Sequence, residues 1–323
     1  MKIHHSVAVQ ERAVSADGVE VLDLAVNPLS VILIAIRPLN ETSTLGNFQR
    51  YMGLAGALNR VSVLHRGQSV FSMSGRDAAA LNYLRHGIMP RELNPLPTDN
   101  VRRCVILPIL LGQFAYDPSS CFPASKRGEL TLEMDIDVAD TGYDGFRYSV
   151  ETVELLDARP KEYERKVVIS QTFAATGDQT FPLPSGNTIR GLMGFGTTGF
   201  AGASPAPTWG RFSLFLDNVQ HSISSTDVEV IQMTTALLGR QPPSLDDHTH
   251  LMEPVAGVVT DPPQRQGMGG WENYWWMDLD PTRDDLFSID TDRASNFQLR
   301  ATVETADAAR VVPIERVRVD RND

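Results

Sequence analysis

Residues 129–138 read ELTLEMDIDV, and in this stretch apolar and polar residues alternate without a break. A period of two predicts a β-strand with one face on a core and the other face in water. The apolar positions that would share the buried face are Leu130, Leu132, Met134, Ile136 and Val138. The opposite face would carry only acidic residues and one threonine.

Similar patterns recur along the rest of the chain. Residues 297–304 (FQLRATVE) repeat the alternation. Shorter or two-sided apolar runs, typical of further strands, lie at residues 19–26, 31–36, 61–64, 101–111, 146–156, 167–173, 189–195, 212–216, 286–289 and 311–319. The chain is therefore predicted to be all-β, with many short strands.

Helical signals are few. Residues 76–86 (RDAAALNYLRH) form a helix-favouring run between Ser74, a candidate N-cap, and Gly87, a candidate stop. Residues 226–238 (TDVEVIQMTTALL) open with Thr226 and Glu229 in the spacing of a capping box. We expect one short helix in each half of the chain.

The two predicted helices have similar surroundings, which indicates an internal duplication. Each follows a strand, a tight turn, a short segment and a serine, and each ends at a glycine. Ser225 and Gly239 follow Ser74 and Gly87 at offsets of 151 and 152 residues. We predict two tandem eight-stranded jelly-roll β-sandwiches, residues 1–157 and 158–323, each with one short helix.

Composition excludes several classes of protein. The 323 residues suit about two domains, and the formal charge of −11 disfavours direct, sequence-specific nucleic-acid binding. Cys104 and Cys121 are too few for a disulfide scaffold and are expected to be reduced thiols. The start of the chain lacks the apolar core of a secretory signal, and no apolar run approaches bilayer length. We expect synthesis in a cytoplasm and no membrane span.

Residues 194–199 (GFGTTG) match the GxGxxG pattern of dinucleotide sites and follow a predicted strand. The next residues, 200–207 (FAGASPAP), cannot begin the helix whose N-terminus would hold a pyrophosphate. A surface loop is the preferred interpretation.

Two segments could hold a metal ion. Asp246, His248 and His250 combine a carboxylate with an HxH pair, but a solvated loop is the preferred interpretation, because no third strong ligand can be placed. A run of aspartates lacks EF-hand spacing, so surface carboxylates are preferred to a weak calcium site. These aspartates are Asp278, Asp280, Asp284, Asp285, Asp290 and Asp292.

Three of the four tryptophans fall within six residues. Trp271, Tyr274, Trp275 and Trp276 could pack in a core, form a subunit or domain interface, or present a platform for sugars. We expect an interface, because Trp275 and Trp276 are adjacent and would point to opposite faces of a strand.

Basic residues gather near both ends of the chain and could be solvated or could face anionic lipid. They are Lys2, His4, His5, Arg12, Arg310, Arg316, Arg318 and Arg321. No sequence signature of a hydrolase, metalloprotease, P-loop or kinase occurs, so we expect no enzyme activity and no cofactor.

Residues 107–136, 172–195 and 211–219 resemble the double jelly-roll major capsid proteins of tailless icosahedral bacteriophages with an internal membrane. The resemblance implies a helix between the sixth and seventh strands of each jelly roll and a homotrimer that forms a pseudo-hexagonal capsomer of the virion shell. Neighbouring capsomers, minor capsid proteins and an internal lipid membrane are the implied partners. The residues leave open an alternative, a two-domain β-sandwich that binds carbohydrate.

Overall fold

The computed structural model describes residues 2–40, 51–88, 92–93, 101–138, 143–197, 207–237 and 274–319. The chain divides into two compact units, Met1–Val167 with Arg316–Asp323 and Val168–Glu315. The division after residue 167 differs from the boundary predicted at 157, because the segment that follows residue 157 adds a strand to the first unit. The end of the chain also belongs to the first unit rather than to the second.

The first unit contains two sheets. Its strands are β1 (Lys2–Ala13), β2 (Gly18–Asp23), β3 (Leu29–Asn40), β4 (Leu58–His65), β5 (Gln68–Met73), β6 (Glu92–Leu93), β7 (Cys104–Leu110), β8 (Leu130–Ile136), β9 (Tyr143–Leu156) and β10 (Glu162–Val167). One sheet has the order β1-β9-β3-β7-β6, and the other has the order β10-β5-β4-β8-β2. The helices are α1 (Tyr51–Gly56) and α2 (Gly75–His86).

The stretch with which the sequence analysis began forms β8. Its alternate residues, from Leu130 to Ile136, are buried, and the residues between them are half-buried. Met134 pairs with Val61 of β4, whose neighbours on β4 and β5 complete the inner face. Side chains of the facing sheet, including Ile34 and Val150, are also buried. The period of two therefore identified the core face correctly.

The second unit also contains two sheets. Its elements are β11 (Ile169–Thr172), β12 (Gly177–Leu183), β13 (Thr188–Gly196), β14 (Trp209–Leu216), β15 (Val219–Asp227), α3 (Val228–Leu237), β16 (Tyr274–Asp278), β17 (Ile289–Asp290), β18 (Phe297–Val303) and β19 (Ala308–Arg318). One sheet has the order β12-β18-β14-β15. In the other, β11 pairs with β19, β19 with β13, and β13 with both β16 and β17.

The two units share one topology. If β6, β10 and β17 are set aside, each unit has eight described strands. Numbered along the chain within its unit, one sheet has the order 1-8-3-6 and the other has the order 2-7-4-5. This is the strand order of a jelly roll, so the prediction of two tandem jelly-roll β-sandwiches is confirmed.

The helices α2 and α3 occupy the same connection in the two units. Each follows the fifth strand of its jelly roll, directly after the antiparallel hairpin β4–β5 or β14–β15. The duplication inferred from the two helices is therefore correct in topology. The helix position implied by the family resemblance, between the sixth and seventh strands, is wrong by one connection.

The two helix predictions differ in accuracy. Helix α2 has the predicted caps: the Ser74 hydroxyl accepts a hydrogen bond from the Asp77 N–H at 3.1 Å, and Gly87 takes a left-handed φ of 67°. Helix α3 begins at Val228, because Thr226 is still paired with Phe212 in β15. The predicted capping box is therefore wrong. Helix α1 was not predicted.

Candidate functional site

The aromatic residues predicted as an interface lie on β16. Tyr274, Trp275 and Trp276 are each no more than 2% exposed. The Trp275 ring packs against Trp209 and Phe212, with centroid separations of 5.8 and 4.7 Å. Trp275 therefore belongs to the hydrophobic core of the second unit, and none of the three rings is exposed as an open sugar platform would be. The boundary role of Tyr274 and Trp276 stays a prediction. Trp271 lies outside the described residues.

Strand β13 explains how the tryptophans fit. Gly194 is opposite Trp275, and Met193 is opposite Trp276. A Cβ atom on Gly194 would overlap the Trp275 indole, and a Cβ atom on Gly191 would overlap the Trp276 ring. A Cβ atom on Gly196 would lie 2.6 Å from the Cβ of Thr208. The first two glycines of the GxGxxG match thus provide space for neighbouring side chains within the unit.

The aspartate run forms an ordered loop held by arginines. Arg283 donates to both oxygens of Asp278 at 2.9 and 2.8 Å. Arg190 likewise donates to both oxygens of Asp285 at 2.6 and 3.0 Å. Burial raises the pKa of Asp280, whose carboxylate lies 3.9 Å from the Arg190 Nε. The guanidinium groups neutralise Asp278 and Asp285 through bidentate hydrogen bonds, which supports a structural role for this loop.

The described residues contain no group of three His, Cys, Asp or Glu side chains arranged to hold a metal ion. Asp246, His248 and His250 lie outside the described residues. Cys104 and Cys121 are both free, and burial raises the pKa of Cys121 to about 12. The prediction of reduced thiols agrees with this arrangement.

Three loops meet at one end of the first unit, which we call the loop end. The Arg66 N–H of the β4–β5 turn donates to the Glu129 carbonyl at 2.8 Å. The Ser125 N–H donates to the Val26 carbonyl at 2.9 Å, joining the β7–β8 loop to the β2–β3 loop.

The second unit repeats this arrangement with different residues. Asp217, in the β14–β15 turn, accepts hydrogen bonds from the backbone of Ser295 at 2.8 Å and Asn296 at 3.1 Å. The Gly186 N–H, in the β12–β13 loop, donates to the Thr291 carbonyl at 3.0 Å. Each jelly roll therefore has a loop end closed by the same three connections.

Each loop end exposes an apolar pair. Phe114 and Tyr116, in the β7–β8 loop, are 46% and 52% exposed. Leu286 and Phe287, between β16 and β18, are 70% and 55% exposed. The Tyr116 N–H donates to the Ser30 hydroxyl at 2.9 Å, which ties this loop to the start of β3. Apolar side chains held outward on ordered loops are typical of contact surfaces.

The basic residues near the two ends are largely neutralised within the chain. The His5 Nε2 atom lies 2.8 Å from the Glu151 Oε2, and the Arg12 Nη1 atom lies 3.1 Å from the Glu20 Oε2. The Arg310 guanidinium stacks 3.9 Å from the centroid of the Phe195 ring. This pairing weakens the argument for a basic face that attracts anionic lipid. Arg321 lies outside the described residues.

Sequence analysis missed a buried charge cluster in the first unit. Glu164, on β10, contacts Arg85 of α2, and both side chains are completely buried. Its other oxygen lies 2.9 Å from the Lys166 Nζ, which also donates to the Leu110 carbonyl at 2.8 Å. The alternating charges of residues 162–166 (EYERK) resemble a solvated segment, so no local signal revealed this cluster.

No family model matches the sequence, and no curated protein matches it at a significant level. Solved structures do resemble the chain along its full length. The major capsid protein of bacteriophage PM2 superposes with a TM-score of 0.67 at 11% identity, over 99% of each chain. This chain and the PM2 protein share the double jelly-roll fold. The STIV MCP has this fold with a TM-score of 0.66 at 10% identity, over 98% of this chain and 97% of its own.

A third structure with the double jelly-roll fold is the PBCV-1 virus capsid, with a TM-score of 0.61 at 9% identity. That match covers 98% of this chain and 94% of the other. These TM-scores establish a common fold, whereas identities near 10% leave function to be argued separately. No described helix of this double jelly-roll chain has the length and apolar character needed to cross a bilayer.

Proposed function

We propose that this chain is a structural major capsid protein of a tailless icosahedral virus. One observation carries the proposal: the two units share a single jelly-roll topology, and the whole chain matches solved viral major capsid proteins over nearly their full length. A shell tile uses two like units to approximate sixfold symmetry.

The proposed assembly is a homotrimer. Three chains with two like units each supply six jelly rolls, so a ring with threefold symmetry becomes nearly hexagonal and can tile a closed shell. The mature location would be the virion shell, after synthesis in the host cytoplasm. We propose neither a catalytic activity nor a cofactor.

The loop ends are our candidates for contacts outside the trimer. Phe114, Tyr116, Leu286 and Phe287 would meet minor capsid proteins or an internal lipid membrane, because apolar side chains gain free energy when either partner removes them from water. We propose no sequence-specific contact with nucleic acid, since the net charge of −11 repels phosphates.

The carbohydrate-binding alternative has lost its main support. Its platform required exposed rings, and Tyr274, Trp275 and Trp276 are buried. No observation on the described residues favours it over the capsid proposal.

Native mass spectrometry combined with negative-stain electron microscopy tests the proposal. We expect a species of about three times 35.6 kDa and hexagonal tiles or closed shells in the micrographs. A chain that stays monomeric at every accessible concentration would argue against a capsid role. Glycan-array binding by such a monomer would restore the alternative.

A further inference from the structure

In the first unit, the fifth jelly-roll strand accepts an extra neighbour. Strand β10 pairs with β5 in parallel, with Lys166 opposite Phe71 and Val167 opposite Ser72. Strand β10 is followed after one residue by β11, the first jelly-roll strand of the second unit. The segment just before a first strand is therefore used to cover the edge of a fifth strand.

Strand β1 corresponds to β10 and β11 taken together. At a constant offset of 160 residues, Val7 matches Val167 and Val9 matches Ile169. The pairing agrees: Val9 is opposite Val150 on the eighth strand of its unit, and Ile169 is opposite Val311 on the eighth strand of the other. Residues 2–7 thus occupy the place of β10.

Unlike β10, residues 2–7 have no neighbour on their outer edge among the described strands. β1 is the first strand of its sheet, and its residues are exposed on both faces. Ile3 and Val7 are 59% and 56% exposed. The β-bulges of β1 follow Val7, so residues 2–7 pair regularly with β9. A regular edge with unpaired backbone groups and two exposed apolar side chains is a template for another strand.

The complementary opening is at β15, the fifth jelly-roll strand of the second unit. It is the last strand of its sheet, and Val219 is 69% exposed. Val230 and Met233, on the helix that packs beside it, are 49% and 64% exposed. In the first unit, where β10 covers the equivalent strand, helix α2 is buried along nearly its whole length.

We propose that residues 2–7 of one copy add in parallel to β15 of a second copy. Gln68 and Val219 are equivalent, because each begins its strand opposite the last residue of the preceding strand. Transferring the β10–β5 register by this equivalence places Ile3 opposite Val219, at the regular start of β15 and before its irregularity at residues 222–225. Opposite residues share a face, so the exposed side chains of Ile3 and Val219 would meet.

Charge supports the same register. Lys2 would lie opposite Asn218, next to Asp217. Hydrogen bonds from the Ser295 hydroxyl and backbone lower the pKa of Asp217, so its carboxylate is ionised at neutral pH. A lysine approaching this turn meets an acidic group of fixed position. No described strand of the same chain pairs with either edge, and the β10–β5 pair shows that a segment of this kind fits such an edge, so we assign the occupant as a second copy.

This contact is heterologous, since each chain offers one β1 and one β15, and such contacts build a ring when the rotation closes. The inference rests on the proposed capsid function in one respect, namely that the ring closes at three chains. The interface itself is defined by the two strands and can fail independently of that function.

The first test places opposite charges at the two residues that would face each other. Ile3→Lys and Val219→Glu should each raise the concentration at which half the chains associate by roughly tenfold or more, as for central interface positions. The double variant should recover most of the loss. Val19→Lys, at an exposed valine of the edge strand β2 (62% exposed), is the matched control and should leave association unchanged.

Cysteine cross-linking is the second test. In a Cys104→Ser background, oxidised Ile3→Cys/Val219→Cys protein should give covalent species of up to three chains, whereas Val19→Cys/Val219→Cys should give none. If wild-type chains associate while the charge variants associate equally well and the cysteine pair does not link, the β1–β15 contact is wrong and the capsid proposal stands. A wild-type chain that never associates overturns both.

Discussion

Gly194 and Trp275 face each other across β13 and β16, and the indole occupies the space where a Cβ of residue 194 would lie. The ring is 1% exposed and contacts Trp209 and Phe212, so it has no free direction in which to move. The absence of a side chain at Gly194 is therefore a packing requirement of the second unit.

Gly194→Ala should destabilise the second unit by about 1–3 kcal/mol, because overpacking forces side chains or backbone to shift. Urea unfolding followed by tryptophan fluorescence measures this unit specifically, since all four tryptophans lie between residues 209 and 276. Gln220→Ala, at an exposed position of the same unit, is the control. Equal midpoints for the two variants would refute the packing role.

Glu164→Gln should destabilise the first unit by about 3–5 kcal/mol, since it removes the carboxylate that pairs with buried Arg85 and Lys166. Hydrogen exchange of α2 and thermal unfolding by circular dichroism would report the loss. Asp227→Asn removes an exposed ion pair with Arg211 and should cost less than about 1 kcal/mol. A Glu164→Gln variant as stable as Asp227→Asn would contradict the prediction.

Asp217→Asn should lower thermal stability at neutral pH, because the Ser295 hydroxyl and backbone N–H stabilise the ionised carboxylate and lower its pKa. The pKa of Asp217 is lower in the folded state than in the unfolded state. The stabilisation is therefore complete at pH values above the pKa of an ordinary aspartate, and it disappears as the pH falls through the folded-state pKa. The difference in melting temperature between wild type and variant should therefore shrink in acid. A pH-independent difference would point to packing instead.

Cys121 should resist thiol reagents in the folded protein. Burial removes it from solvent and raises its pKa to about 12, so the reactive thiolate is scarce at neutral pH. Cys104 is half-buried and should react first. Mass spectrometry after timed alkylation, with and without urea, would show the order. Rapid native labelling of Cys121 would mean that the loop after β7 opens easily.

The apolar pair at the loop end of the second unit can be tested by solubility and binding. Leu286→Ser with Phe287→Ser should leave the melting temperature within a few degrees of wild type, because both side chains are exposed. Trimer formation should also persist. Reduced co-sedimentation with vesicles or with minor virion proteins would support an outward contact, and collapse of the fold would show that the pair is structural.

The sequence by itself determined the all-β class, many of the strands, one helix and the duplication, but it did not reveal β1, β12, β15 or β16. Strict alternation in residues 129–138 requires a strand with a single buried face, and Ser74 with Gly87 supplies local hydrogen-bonding and φ preferences that delimit α2. These signals depend only on neighbours a few residues away in the sequence, so they can be read without knowledge of the fold. The repeated strand, turn and helix order similarly required only positions along the chain.

Tertiary structure alone decided which strands pair and which polar or aromatic groups are buried. A period of two assigns residues to faces but does not name the neighbouring strand, so the strand order, the open edges of β1 and β15, and the buried contact of Glu164 with Arg85 were not readable. The same limit applies to the tryptophans. Whether Trp275 meets solvent or Gly194 depends on a residue 81 positions earlier in the chain, brought opposite it only by the sheet.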